Sequence, residues 1–172
     1  SFINEATLEF HHNQEKKQWT MASNNQKPTE PKTIRDSDLK RLRIMVVDDQ
    51  PDTLQMILKM LKVLGVTEIF SAPDGREALQ LIEFMDGMID IVFCDWNMPS
   101  VTGIEMLREL RMASPEIRFI MVTARGDMDS VLVAKEAGVN GFIRKPFSLS
   151  ELKNKIGSVM SQPLDSRAAR PA

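Results

Sequence analysis

The chain has 172 residues, of which 42% are hydrophobic and 27% are charged, and its net charge is −2. A chain of this length typically forms one domain of roughly 100–200 residues with some additional segments, and the apolar share excludes wholesale disorder. The balanced charge argues against a nucleic-acid-binding protein that depends on bulk positive charge, and the short apolar runs exclude a membrane span, which needs about 20 such residues.

The two ends of the chain differ in composition from its middle. Residues 1–42 are polar and have few regularly spaced apolar positions, so we expect a flexible leader. Met21 begins a stretch typical of a protein start, and we interpret residues 1–20 as vector-derived or upstream sequence. Residues 163–172 are also poor core material and predict a flexible tail. The predicted domain is therefore residues 43–162.

Within this domain, short apolar runs alternate with helical patterns. The runs predict five strands: Arg43–Val47, Thr67–Ser71, Ile89–Cys94, Ile117–Val122 and Gly141–Arg144. Apolar residues at helical spacing follow each run, with Asp74 and Ser148 as predicted N-caps and the fourth helix predicted over residues 127–137. Glycines mark three helix ends: Gly65, Gly87 and Gly138.

The pattern is a β-strand followed by an α-helix, repeated five times. Near-continuous apolar strands alternating with amphipathic helices predict an α/β protein with a doubly wound parallel sheet covered on both faces. Periodicity does not fix the strand order. Ligands of such sheets bind at the carboxyl ends of the strands, so the residues at those ends are the candidates for function.

Charged and polar residues are concentrated at these strand ends. Asp48 and Asp49 follow the first strand, Asp95 the third, Thr123 the fourth and Lys145 the fifth. Each has an ordinary explanation alone, such as a helix cap, a turn or a solvated charge. Together, three carboxylates predict a site for a hard divalent cation such as Mg²⁺, and the lysine and threonine are donors suited to a phosphoryl group attacked by a carboxylate.

These residues also carry a family resemblance. Over residues 43–162 the chain resembles the response-regulator receiver domains of the CheY-like kind. The matching motifs are Val46–Asp49, Asp95–Pro99 with Gly103 beyond it, Val122–Ala124 and Lys145–Phe147. The resemblance implies a (βα)5 flavodoxin-like fold with the sheet order 2-1-3-4-5.

The resemblance also implies a role for each carboxylate. Asp95 would accept the phosphoryl group. Asp48 and Asp49 would bind Mg²⁺ together with Asp95, and the backbone carbonyl of Asn97 would be a further ligand.

A two-state switch is implied by the same resemblance. Lys145 would pair with Asp95 and then with the phosphoryl group, Thr123 would hydrogen-bond another phosphoryl oxygen, and the Lys145–Pro146 bond would be cis. The switch aromatic would be Phe142, and because the chain has no tyrosine the switch must depend on packing. The output surface would be the fourth helix, fifth strand and fifth helix, roughly residues 127–160.

The favoured hypothesis is a single-domain response regulator that acts by binding partners. It would receive its phosphoryl group from a histidine kinase or a histidine phosphotransfer protein and act as a monomer or weak dimer. The motif Asp95–Pro99 favours chemotaxis, with a flagellar motor component as target. The alternatives are a phosphate-shuttle or stress-signalling receiver and a Mg²⁺-dependent phosphohydrolase, although Asn97 stands where the latter would carry a second acid. We expect no enzymatic activity beyond self-phosphorylation and autodephosphorylation on Asp95.

Cysteine content and the absence of sorting signals predict a cytoplasmic protein. Cys94 is the single cysteine, which cannot form an internal disulfide and suits a reducing compartment. No basic start followed by an apolar run and a cleavage site is present. We interpret Cys94 as a core residue and not as a nucleophile.

Overall fold

The computed structural model describes residues 34–124 and 128–163, with side chains described outside residues 128–130. Of the predicted flexible leader 1–42 and tail 163–172, residues 1–33 and 164–172 lie outside this range, and so does residue 127, the predicted start of the fourth helix. Those expectations remain predictions. No helix within the described ranges is long and apolar enough to cross a bilayer.

Five parallel strands form one sheet in the order β2-β1-β3-β4-β5, which confirms the implied order. The strands are β1 (Arg43–Val47), β2 (Glu68–Ala72), β3 (Ile91–Asp95), β4 (Arg118–Thr123) and β5 (Gly141–Arg144). β2, β3 and β4 each end one residue later than predicted. Asp95 and Thr123 are therefore the last residues of their strands, and Asp95 lies opposite Val122 in the register of β3 and β4.

Helices cover both faces of the sheet. They are α1 (Asp36–Leu39), α2 (Pro51–Val63), α3 (Gly75–Phe84), α4 (Gly103–Ala113), α5 (Met128–Glu136) and α6 (Leu149–Met160). Buried residues of α1, α2 and α6 share one apolar cluster with β-strand side chains. Residues of α3, α4 and α5 share the other, so the protein has the predicted doubly wound α/β architecture.

The predicted helix boundaries have visible physical causes. The Asp74 carboxylate accepts a hydrogen bond from the Glu77 backbone N–H at 2.9 Å, and the Ser148 hydroxyl accepts one from Glu151 N–H at 3.2 Å. Gly65 follows α2 with a φ of 90°, a left-handed conformation that glycine adopts without strain. These caps and this stop agree with the sequence prediction.

The packed region begins earlier than the predicted boundary at residue 43. Leu39 in α1 and Leu42 have exposed fractions of 0% and 6% and belong to the cluster beneath α2 and α6. An ion pair of 2.8 Å between Lys153 and Asp36 also joins α6 to α1. Two leucines among charged neighbours show neither helical nor strand periodicity. The sequence therefore offered no reason to separate this segment from the predicted leader.

A polar network joins the amino ends of β4 and β5 to the end of α4. The Asn140 side-chain oxygen accepts hydrogen bonds from Arg111 Nη2 at 2.7 Å and from the Phe119 backbone N–H at 2.8 Å. Arg111 also donates to the backbone oxygens of Gly138 and Ile117. One amide oxygen thus serves two donors, one of them on a buried strand.

Asn140→Ala tests this network. The substitution leaves the Phe119 N–H and Arg111 without their shared acceptor, so we expect the free energy of unfolding to fall by about 1–3 kcal/mol. Urea denaturation followed by circular dichroism measures the change. The control is Asn154→Ala, at an exposed position of α6, which should change stability by less than about 0.5 kcal/mol. Equal effects of the two variants would show that the network contributes nothing to the free energy of unfolding.

Candidate functional site

Lys145 holds two buried carboxylates together at the carboxyl edge of the sheet. Its Nζ lies 2.9 Å from Asp48 Oδ2 and 2.7 Å from Asp95 Oδ1. The exposed fractions of Asp48 and Asp95 are only 1% and 7%. Buried carboxylates are unfavourable unless they are paired and hydrogen-bonded, so the ammonium is what allows both to occupy this position.

Backbone donors satisfy the remaining oxygens of both carboxylates. Asp48 Oδ1 accepts from the Gln50 N–H and Asp95 Oδ2 accepts from the Asn97 N–H, each at 2.9 Å. These donors belong to the turns that follow β1 and β3. Each aspartate is therefore oriented by its own strand end as well as by Lys145.

The chain after β5 is anchored to β4, which positions Lys145. The Lys145 backbone N–H donates to the Thr123 carbonyl at 2.8 Å, and the Lys145–Pro146 peptide bond is cis, as the resemblance implied. Thr123 has an exposed fraction of 7% and lies at the same sheet edge. Of the predicted site residues, Asp48, Asp95 and Lys145 are in direct contact, and Thr123 is bonded to Lys145 through the backbone.

The electrostatics of the site follow from burial and pairing. Burial raises the pKa of Asp95 above its ordinary value, and the hydrogen bond from Lys145 opposes that rise. Burial lowers the pKa of Lys145, but the hydrogen bonds and charges of Asp95 and Asp48 outweigh it and raise the pKa overall. Lys145 therefore remains a cation at neutral pH.

Asp49 provides the observation relevant to a metal ion. Its Oδ1 is buried and has no hydrogen-bond partner among the described residues. A buried carboxylate oxygen without a donor suits a hard cation, so the residues present fit Mg²⁺. Within residues 34–124 and 128–163, no three aspartate, glutamate, histidine or cysteine side chains form a metal-binding cluster. Lys145 occupies the position between Asp48 and Asp95.

Phe142 lies in β5 beside Met121 of β4 and is partly buried against the apolar cluster beneath α3, α4 and α5. The same cluster includes Cys94, which is fully buried, and burial raises the pKa of its thiol well above the ordinary value. The interpretation of Cys94 as a core residue is confirmed. The role of Phe142 as a switch residue remains a prediction.

Gly103 has a role in the site that sequence reasoning missed. A Cβ at this position would collide with the Asp95 backbone oxygen and lie 2.8 Å from Met121 Sδ. Gly103 N–H also donates to the Trp96 carbonyl at 3.1 Å. The first residue of α4 is thus packed directly on the backbone that carries Asp95. The sequence offered the glycine as part of a motif, but contact between chain segments is not visible in a spacing.

Comparisons with known proteins show which family the chain resembles. The family model described as "Response regulator receiver domain" matches residues 44–157. The chain is 37% identical over 123 residues to "Chemotaxis protein CheY" of Pseudomonas aeruginosa, covering 70% of this chain and 98% of the relative. It is 34% identical over 126 residues to "Chemotaxis protein CheY-3" of Vibrio cholerae, covering 72% and 95%.

The solved structure of the CheX–CheY–BeF3–Mg²⁺ complex from Borrelia burgdorferi is also similar. It matches with a TM-score of 0.69 and 27% identity, and the match covers 78% of this chain and 100% of that chain.

Gly103→Ala tests the close approach beneath Asp95. Because the added methyl meets a backbone oxygen, which cannot rotate away, we expect a loss of about 1–3 kcal/mol in unfolding free energy and a changed Trp96 emission. The matched control is Gly141→Ala, whose Cβ would meet the side chains of Val159 and Lys155 at 3.0 and 3.2 Å. Those side chains can shift, so its effect should be smaller. A Gly103 variant as stable as the Gly141 variant, with unchanged emission, would contradict this packing.

Proposed function

The chain belongs to the response regulator receiver domain family, and from this premise we propose that Asp95 accepts a phosphoryl group from a histidine kinase or a histidine phosphotransfer protein. The observation that carries the proposal is the contact of Lys145 with both Asp48 and Asp95. A lysine fixed on two buried carboxylates supplies a donor that can pass from Asp95 to an incoming phosphoryl oxygen.

The proposed reaction uses Asp95 as a nucleophile. One carboxylate oxygen forms a bond to phosphorus while the bond from phosphorus to the donor's imidazole nitrogen breaks, and that nitrogen keeps the electron pair. The product is an acyl phosphate on Asp95. Hydrogen bonds from Lys145 and the Asn97 N–H orient the carboxylate before the reaction. Lys145 then pairs with one phosphoryl oxygen, and the Thr123 hydroxyl donates to another.

We assign Mg²⁺ to the carboxylates on this edge. Asp48, Asp49 and Asp95 with the Asn97 carbonyl would hold it, and the buried Asp49 oxygen without a donor supports the assignment. The ion would neutralise charge on the phosphoryl oxygens. The similar Borrelia complex contains Mg²⁺ and BeF3, which also supports the assignment. The Lys145 ammonium must therefore move away from at least one of its two carboxylate partners when the ion binds.

The proposed readout is the surface formed by α5, β5 and α6. Phe142 of β5 is partly buried against the core, and Leu132 and Val133 of α5 have exposed fractions of 52% and 39%. A new charge on Asp95 would shift the balance between two packings of Thr123 and Phe142 and so change this surface. Similarity to relatives named as chemotaxis proteins supports chemotaxis as the setting. We further propose a cytoplasmic location and a flagellar motor component as target.

Phosphorylation on Asp95 is tested by the intact mass of the full chain after incubation with acetyl phosphate and Mg²⁺. We expect one phosphoryl adduct, which disappears in Asp95→Asn and when the metal is chelated. Asp90→Asn is the control, since Asp90 pairs with Arg43 at the opposite sheet edge, and it should keep the adduct. If no adduct forms, beryllofluoride should still change Trp96 fluorescence. The absence of both responses, or an adduct that persists in Asp95→Asn, would refute the proposal.

The metal assignment is tested by titrating Mg²⁺ against Trp96 fluorescence in a Trp19→Phe background. Removing the charge of Asp49 should weaken Mg²⁺ binding by about tenfold or more, because a carboxylate ligand becomes a neutral amide in Asp49→Asn. Asp52→Asn changes the same charge at an exposed position of α2 and should shift binding less than about twofold. Equal shifts in the two variants would show that Asp49 is not a ligand.

A further inference from the structure

A groove of about 820 Å³ lies between α3 and α4. Its apolar lining comes from Leu79 of α3, Val101 of the loop before α4 and Ala113 of α4, together with the buried Ile82 and Leu110, and its one basic lining residue is Arg76. None of its lining residues belongs to α5, β5 or α6, so it is distinct from the proposed readout surface. Any function of the groove is therefore separate from that of the proposed readout surface.

Four carboxylates surround this apolar lining. They are Glu83, Asp86, Glu109 and Glu116, all of them exposed. None forms an ion pair within 4.0 Å with any residue in the described ranges. Arg111 donates to Gly138, Ile117 and Asn140. Its charge also interacts with that of Glu116, without a direct ion pair.

Helix ends add to this negative charge. α3 ends at Phe84 and α4 ends at Ala113, and Asp86 and Ser114 just beyond them line the groove. The C-terminal end of a helix carries a partial negative charge equivalent to roughly half an electron. Two such ends and four carboxylates, against the single basic lining residue Arg76, give the groove an excess of negative charge that favours a cation.

Large apolar side chains flank the groove on both helices. Phe84 lies one helical turn after Gln80, a lining residue of α3, and Met112 lies one turn after Glu109 of α4. Each has an exposed fraction of 88%, the highest among the exposed large hydrophobic residues of the described chain. Exposed apolar side chains beside a groove are typical of an interaction site.

We propose that this groove binds a cationic, amphipathic helical segment of a partner protein. Apolar residues of that segment, spaced three and four apart, would contact the groove lining, Phe84 and Met112. Its lysines or arginines would pair with Glu83, Asp86, Glu109 and Glu116. The combination of exposed apolar side chains with an excess of acids selects this class of partner over an acidic or purely apolar one.

The test uses the full chain and a synthetic helical peptide of about 11–14 residues, built from leucine and lysine at helical spacing and comparable in length to α4. Fluorescence anisotropy of the labelled peptide measures its affinity. Glu109→Lys should weaken binding by about tenfold, since it replaces an attraction by a repulsion, and Phe84→Ser should weaken it by about fivefold. A peptide with glutamate in place of lysine should not bind.

Matched controls distinguish specific binding at the groove from non-specific electrostatic and hydrophobic binding elsewhere on the surface. Glu136→Lys makes the same charge change on α5, and Val63→Ser removes an apolar side chain that is 73% exposed at the end of α2. Each should alter affinity by less than about twofold. Control effects as large as those of the groove variants, or binding of the glutamate peptide, would overturn the proposal, and so would the absence of binding.

Two further outcomes would assign the groove to another occupant. Removal of residues 164–172, which include Arg167 and Arg170, would raise peptide affinity about tenfold if the chain's own tail competed for the groove. A dimer that dissociates in Glu109→Lys, measured by analytical ultracentrifugation, would show that a second copy occupies it. Either result would contradict a partner protein as the occupant. The proposal predicts unchanged affinity after truncation and no Glu109-dependent dimer.

Discussion

The arrangement at the sheet edge depends on one ammonium group placed between two buried carboxylates. Asp48 follows β1, Asp95 ends β3, and the two would repel each other without Lys145, which contacts them at 2.9 and 2.7 Å. The sheet order explains how this is possible. β1 and β3 are neighbours, and the chain leaves β5 on the same edge, anchored by the bond from Lys145 N–H to the Thr123 carbonyl.

This constraint connects the fold to the proposed chemistry. A parallel doubly wound sheet places the carboxyl ends of all strands on one edge, and the reversal of strand order beside β1 opens a space there. Gly103 then fixes the backbone of Asp95 from below, because α4 begins against it with no side chain between them. The carboxylate is thus oriented by Lys145, by the Asn97 N–H and by the packing of α4, before any phosphoryl donor approaches.

Much of this was visible in the sequence, because apolar periodicity and residues at strand ends are local signals. All five strands were placed to within two residues, and Asp48, Asp95 and Lys145 were identified together from their positions after strands. The burial of Leu39 was not predictable, since its neighbours are charged and the cluster that it joins includes residues of α6 more than a hundred positions away. The lack of ion pairs for the acids between α3 and α4 was equally unpredictable from the sequence, because ion pairing depends on distances between helices.

The measurement that tests the central claim most directly is the location of the phosphoryl group. An acyl phosphate on aspartate is reduced by borohydride to homoserine, so peptide mass mapping of the phosphorylated and reduced full chain identifies the residue that carried it. We expect homoserine in place of Asp95, with Asp48 and Asp49 unchanged. Reduction at Asp48, at Asp49 or at any other carboxylate, with Asp95 intact, would contradict it.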